Sequence, residues 1–477
     1  MGPRTSLLLA LVVGWAAATA AAQAPDGAPT VLPTTPIAET WVPVAQPAPA
    51  TPPAPLVPGP ASPPAALPAP AAVPPCPTPV PGVTSPPAEA KPPTLEELAK
   101  KVEVLGKNLT VTTGDGDFKL VLGGAVVADF LYSTRSPFAP GTPFFLFPKS
   151  AFDFDSQTFD AHARQTNVFA LFTGPEVFDF KSGGFIWVNL YDNTIVADRY
   201  GLLPLVAYGE LKNDDWRFAA GLQFDVFNPL NPTVLPLSLL ATSGNTGMFR
   251  GQARVERFWH PDEDTLYMLT AALSEPVPTT VNDQLRISED NGIPNLDVRA
   301  AVGLGPVRGA GFEAHRPIEL GVSASCGQLR TVQIANRVVS HVWGLGADAR
   351  WAADPRWGIQ GEGYIGQGLG SYGASGLANV NPITFQAIRT VGGWVEVWYY
   401  WCPDALHTHV GCGIDDPVDA DAGPTVPIRN QTCYVTTIWE VTKGFRVGFQ
   451  ASYLRSSYSV LKDNEGFVFQ TQFMWKF

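Results

Sequence analysis

Six arginines fall on the polar side of segments that alternate polar and apolar residues: Arg164, Arg217, Arg250, Arg254, Arg350 and Arg446. A guanidinium stays charged at any relevant pH, and its fork matches a carboxylate or a phosphate. Arg250 and Arg254 lie four positions apart on one face, about 13 Å at strand rise. Charges arrayed along the wall of a channel would favour the passage of anions. Acidic neighbours offer the opposing reading. Glu210, Asp225, Glu256 and Asp348 share these faces, and one-to-one pairing would leave no net bias.

Residues suited to covalent chemistry are sparse. The chain has no Walker-type glycine loop, no His-Glu-x-x-His and no Gly-x-Ser-x-Gly elbow. Gly366-Gln367-Gly368-Leu369-Gly370 reads as a bend at a strand end, because no helix follows it. His407-Thr408-His409 lies near Asp415, Asp416, Asp419 and Asp421, a donor set able to hold a divalent cation. An acidic, solvated loop explains the same residues. His162 beside Asp160 and His260 beside Asp262 are neighbours in sequence only, which sets neither against a nucleophile. No enzymatic activity, cofactor or metal is expected.

The elements that would position the arginines are strands. In 118–133 the residues Leu120, Leu122, Val126, Ala128, Phe130 and Tyr132 share one face. Trp216, Phe218, Ala220 and Leu222 oppose Arg217 and Gln223. Trp343, Leu345, Ala347 and Trp351 oppose Asp348 and Arg350. The last strand sets Phe467, Phe469, Phe473, Trp475 and Phe477 on one side and Val468, Gln470, Gln472, Met474 and Lys476 on the other. Such a face fits hydrocarbon with an aromatic ring at the headgroup level. Strands are expected near 118–133, 159–173, 178–192, 200–212, 216–227, 247–259, 265–275, 295–304, 317–330, 339–352, 357–369, 384–391, 394–401, 428–441, 445–458 and 466–477. That even number of sixteen puts the short turns, among them Gly392-Gly393, at one end. The long segments, among them 228–246 and 402–427, then fall at the other.

Ahead of the strands the composition changes. Arg4 and the apolar run Leu7 to Ala18, followed by small residues, read as a signal peptide over 1–22. Residues 23–93 hold about half of the 47 prolines and no apolar periodicity, so they read as a disordered, polyproline-like tether. At about 3.1 Å per residue it could reach on the order of 200 Å, far enough to contact a cell-wall layer, or it is a spacer without a partner. Thr94 and Glu97 are spaced as a capping box, and Leu95, Leu98, Val102 and Leu105 form a two-heptad seam, which predicts a short coiled-coil helix over 94–107. The barrel would occupy 108–477. A net charge of −12 argues against a nucleic-acid partner. Five cysteines have no zinc spacing. Cys402 and Cys412 flank a polar stretch and could close it with a disulfide in an oxidising compartment.

Three stretches carry a family resemblance. They are Ala163-Arg164-Gln165-Thr166, then Ala207-Tyr208-Gly209-Glu210-Leu211, then Phe218 to Gln223 leading into Asn228-Pro229. In order and spacing they resemble the DcaP-type trimeric porins of the bacterial outer membrane, most sharply over 94–260. The long proline-rich tether, the cysteine pair and Thr166 in place of the commoner Ser depart from that pattern. The resemblance implies a 16-stranded antiparallel transmembrane β-barrel preceded by a coiled-coil segment, a homotrimer, outer-membrane lipid around it and small anionic solutes such as dicarboxylates. In general porins the loop after the fifth strand folds inward. That makes Asn228, Asn231 and Thr233 candidate constriction residues. The sequence reading is a passive diffusion porin for small hydrophilic anions. The competing reading is a plugged barrel acting as an anchor or binding protein through its tether.

Overall fold

The computed structural model describes residues 102–105, 108–113, 117–149, 156–192, 198–277, 293–308, 315–333, 336–403 and 405–477. The expected signal peptide, the tether and residues 94–101 and 106–107 of the expected helix lie outside them. The end of that helix is corrected. β1 (Val102–Leu105) is extended, not helical, and pairs antiparallel with β2 (Asn108–Thr112), which pairs with the start of β3 (Lys119–Ser133).

β4 (Thr158–His162) and β5 (Asn167–Val177) lie along successive stretches of β3, so they are two halves of one broken strand. Fourteen further strands follow as a meander. They are β6 (Phe180–Tyr191), β7 (Tyr200–Lys212), β8 (Trp216–Phe224), β9 (Phe249–Asp262), β10 (Thr265–Ser274), β11 (Asn295–Leu304) and β12 (Ile318–Gln333). Then come β13 (Asn336–Trp351), β14 (Trp357–Gln367), β15 (Arg389–Cys402), β16 (Leu406–Pro417), β17 (Arg429–Thr442), β18 (Phe445–Ser457) and β19 (Asn464–Lys476). Each pairs with its predecessor, and β19 returns to β3. Setting the β1–β2 hairpin aside and joining β4 to β5 leaves a closed barrel of sixteen antiparallel staves.

Its polarity is inverted relative to a water-soluble protein. Val126, Phe130, Val322, Leu345, Val410, Phe449 and Phe469 are each 43–60% exposed on the outside, whereas Asp129, Glu396, Asn430, Gln470 and Gln472 are 0–3% exposed within. Hydrocarbon is the solvent that such an outer wall fits. Rings cluster at its two ends, with Trp351 on Trp357, Tyr399 on Trp401 and Phe445 on Trp475 at the short turns, and Tyr453 on Phe467 at the long loops. The aromatic face of the last strand points outward as expected. Phe477 and Gly124 exchange backbone hydrogen bonds of 3.0 Å to close the cylinder. Gly124 has to be a glycine, because a Cβ there would lie 2.9 Å from the Phe477 ring and overlap the Asn167 carbonyl.

Two elements differ from expectation, and the errors cancel in the strand count. Gly392-Gly393 is not a turn. Both residues sit inside β15, paired with β14 and β16. Gly392 leaves space for the Tyr364 phenol, which any Cβ would overlap. Conversely, 402–427 is not one loop, because it contains all of β16.

Candidate functional site

The strand break at 163–166 directs chain into the lumen, and the first resemblance motif occupies it. Thr166 Oγ1 accepts from the Val127 N–H (3.0 Å) and donates to the Val127 carbonyl (3.3 Å), replacing the missing ladder bonds. Gln165 Nε2 donates to Asp129 Oδ2 (3.1 Å) and to the Leu235 carbonyl (3.0 Å). The other Asp129 oxygen accepts from Gln470 (2.8 Å) and Gln472 (2.9 Å). Arg164 is buried, paired with Asp160 and Asp198, and lies over the Tyr191 ring.

Leu235 belongs to segment 225–248, which folds into the barrel. Its neck is closed by the Asp225 N–H on the Met248 carbonyl (2.9 Å) and by the Met248 N–H on Asp225 Oδ2 (3.1 Å). Beyond the neck it is bonded in turn to β12, β15, β18 and β17. The Asn228 N–H donates to Ser323 Oγ (3.3 Å), the Thr233 N–H to Glu396 Oε2 (2.7 Å) and the Leu235 N–H to Gln450 Oε1 (2.7 Å). Ser243 meets Thr432 at 2.8 Å. Asn228, Leu239, Leu240 and Thr242 all have positive φ, a strained state for non-glycine residues that this dense bonding holds in place. The loop-end face of the segment packs Ala241 and Met248 against Phe138, Phe144 and Phe145 of another inward segment.

The expected constriction residues therefore all lie on an inward-folded segment. Asn228 is fully buried, with Nδ2 donating to Thr246 Oγ1 (2.8 Å), and Thr233 is locked onto Glu396. Asn231 lines the open space beneath.

That space is a cavity of about 900 Å³ towards the short-turn end. Arg217 and Arg254 lie on one flank and Arg446 and Lys476 on the other, with Phe169, Phe185, Trp187 and Tyr208 between them. Arg217 pairs with Glu210 (2.5 Å) and Glu256 (3.0 Å), and Arg254 shares Glu256 (3.3 Å). Arg446 (2.7 Å) and Lys476 (2.8 Å) share Glu440. Four cations thus divide three carboxylates. All four cations line the cavity. The Trp187 indole N–H and the Gln223 amide, also at the cavity, have no protein acceptor among the described residues.

The remaining arginines sit elsewhere. Arg250 is buried at the loop neck, bonded to Asp225 (3.0 Å) and stacked 4.1 Å from the Tyr372 ring centre, so it and Arg254 are not two rungs of one track. Arg350 lies over Trp398. Asp348, two positions before it on the same face, binds Arg299 through two bonds of 3.0 and 2.6 Å. Sequence reasoning missed Lys476, assigned to the polar face but not to the site, and it missed the aromatic wall. In β5 and β6 both faces are apolar, so alternation gives no signal there.

The expected Cys402–Cys412 disulfide is also corrected. Cys412 is bonded to Cys433, directly opposite it on β17 with Cα atoms 4.0 Å apart. Cys402 faces Leu406, and Cys412 lies six residues further along β16, about 20 Å at strand rise, which no disulfide spans. The histidine–aspartate cluster separates as well. Asp415 accepts from Tyr364 (2.7 Å), Asp416 pairs with Arg429 and Asp421 with Arg389 near the long loops, while His407 and His409 lie near the short turns.

No family model matches the sequence, and no curated protein matches it. Among solved structures the chain is similar to the outer membrane channel DcaP of Acinetobacter baumannii, at 14% identity over 77% of this chain and 99% of that one, with a TM-score of 0.58. The chain has the fold of the DcaP channel. It is also similar to an anion-selective porin from Comamonas acidovorans, at 9% identity over 76% of this chain and all of that one, with a TM-score of 0.49. The DcaP likeness agrees with the resemblance carried by residues 163–166 and 207–229, and it extends over the whole barrel.

Proposed function

We propose that this chain is an outer-membrane channel through which small hydrophilic anions diffuse passively, and that it assembles as a homotrimer. One observation carries the reading. At the short-turn end, Arg217, Arg254, Arg446 and Lys476 line the cavity and share only three carboxylates, Glu210, Glu256 and Glu440. A solute there meets donors and positive charge, and the aromatic wall offers a surface for an apolar body. The trimer rests on the family resemblance and on the seam over Leu95 and Leu98, shortened now that Val102 and Leu105 are extended. Light scattering in mild detergent is expected to give three chains per particle, and a monomer would refute the trimer.

Planar-bilayer recording tests the channel. A stable conductance with a reversal potential of anion-selective sign is expected in a KCl gradient. The plugged-barrel reading draws on a separate observation, the bonding of segment 225–248 to four lumen strands and its packing on Phe144 and Phe145. A correctly folded barrel with no conductance would favour it.

A further inference from the structure

The His407–His409 pair is not used by the anion reading, and its two rings meet nitrogen to nitrogen. Both side chains stand on the inward face of β16, two residues apart, and His407 Nδ1 lies 2.8 Å from His409 Nε2. The other His409 nitrogen, Nδ1, lies 3.0 Å from Glu396 Oε1. Glu396 is already an acceptor four times over. It receives the Thr233 N–H (2.7 Å), the Thr233 hydroxyl (3.1 Å), Gln360 Nε2 (3.1 Å) and the Tyr434 hydroxyl (2.6 Å). A carboxylate so engaged has lone pairs to offer and no proton, so His409 must carry its proton on Nδ1. The Nε2 lone pair then accepts from His407 Nδ1–H, so a metal seated between the rings takes the place of that proton and His407 carries its proton on Nε2 instead. A carboxylate that fixes a histidine tautomer in this way is the usual second partner of a metal-bound imidazole. Tyr400 stacks on His407 with ring centres 4.8 Å apart, and Trp401 Nε1 donates to Thr408 Oγ1 (3.0 Å) on the opposite face, so this stretch of strand is held on both sides.

From this we infer that His407 and His409 form a binding site for a divalent first-row transition metal, Zn²⁺ being the probe of choice. Nitrogen ligands about 2.0–2.1 Å from a tetrahedral zinc lie roughly 3.3 Å apart, so the two rings need to part by only about half an ångström. Among the described residues no group of three or more His, Cys, Asp or Glu side chains surrounds one point. Two positions therefore go to the histidines and the rest to water, which makes the site reversible and selective for nitrogen-seeking metals over Mg²⁺. The metal also reaches the inward segment, because the tautomer it requires is the one that keeps the His409 N–H on Glu396, which anchors Thr233.

The test is calorimetric titration of ZnCl₂ into the detergent-solubilised full chain near neutral pH, with folding of each protein checked by heat-modifiable migration. Saturable binding of one Zn²⁺ per chain is expected, with none for Mg²⁺. His407→Phe keeps the stack on Tyr400 and removes a ligand, and it should weaken binding at least about tenfold, as should the second-partner change Glu396→Gln. Absence of saturable binding, or a folded His407→Phe protein that binds as tightly as the parent, overturns the site. Binding is read without conductance, so a barrel that proves plugged leaves this result standing.

Discussion

Arg254→Gln combined with Arg446→Gln should reverse the charge at the cavity, because the two residues stand on opposite flanks and draw on different carboxylates. Four cations against three carboxylates leave a surplus of one positive charge, and removing two cations leaves one negative. A unit charge about 8 Å from a permeating ion changes its energy by roughly 0.5 kcal/mol even at the dielectric constant of water. Each arginine removed raises the cost for an anion and lowers it for a cation by that amount. The permeability ratio therefore shifts about fivefold per charge and roughly 25-fold for the pair. The assay is the reversal potential across a tenfold KCl gradient. At about 0.01 M salt the screening length is about 30 Å and the full effect is expected; near 1 M it is about 3 Å and most of the effect should vanish. A permeability ratio unchanged at low salt, or a change indifferent to salt, would refute the view that these side chains face permeating ions.

Further outcomes follow from the same contacts. Arg250→Gln should leave selectivity nearly unchanged but strand buried Asp225, costing about 3–5 kcal/mol, read as a lower temperature for the loss of folded-barrel mobility in SDS. Thr166→Val should destabilise the strand break by about 1–2 kcal/mol in the same measurement, whereas Thr166→Ser keeps both bonds to Val127 and should be near neutral. Disulfide mapping by mass spectrometry should recover Cys412 linked to Cys433, and a Cys402–Cys412 peptide would overturn the strand register assigned to β16. The Arg389 guanidinium bonded to Asp421 holds that carboxyl below its ordinary value. Its contribution to the order of segment 418–428 is therefore complete above the ordinary aspartate range and is lost as pH falls through the depressed pKa. An acid titration followed at the Arg389 Nε–H resonance should accordingly break below pH 3.8, and a break at or above it refutes the pairing.

How far the sequence could be read depended on what each strand faces. β3, β13, β18 and β19 have lipid on one side and a wet or hydrogen-bonded lumen on the other, so their residues alternate and their positions were plain. β5 and β6 back an aromatic lumen wall, which removes the contrast. β16 carries His407, Thr408, His409, Asp415 and Asp416 on both faces and reads as a polar loop, although it is a full strand. Gly392-Gly393 has the composition of a turn, yet Gly392 is small because Tyr364 occupies the space where its side chain would be. The inward path of segment 225–248 was legible only through the family resemblance. Its anchors join Thr233 to Glu396 and Leu235 to Gln450, residues 163 and 215 positions apart, and no local period encodes them.

The role of each lumen arginine is likewise set by the register of other strands. Arg164, Arg250 and Arg299 each meet carboxylates supplied in full, from Asp160 and Asp198, Asp225 and Asp348, and all three are buried. A buried charge without such a partner would cost several kcal/mol, so these arginines hold the break, the loop neck and the wall. Arg217, Arg254, Arg446 and Lys476 are more exposed and draw on too few carboxylates. Incomplete pairing is tolerable there because the cavity can supply water or a solute anion. The surplus charge thus stands where solvent reaches it, and the arginines that work on solutes are distinguished from those that hold the barrel by the number of carboxylates the neighbouring staves bring to them.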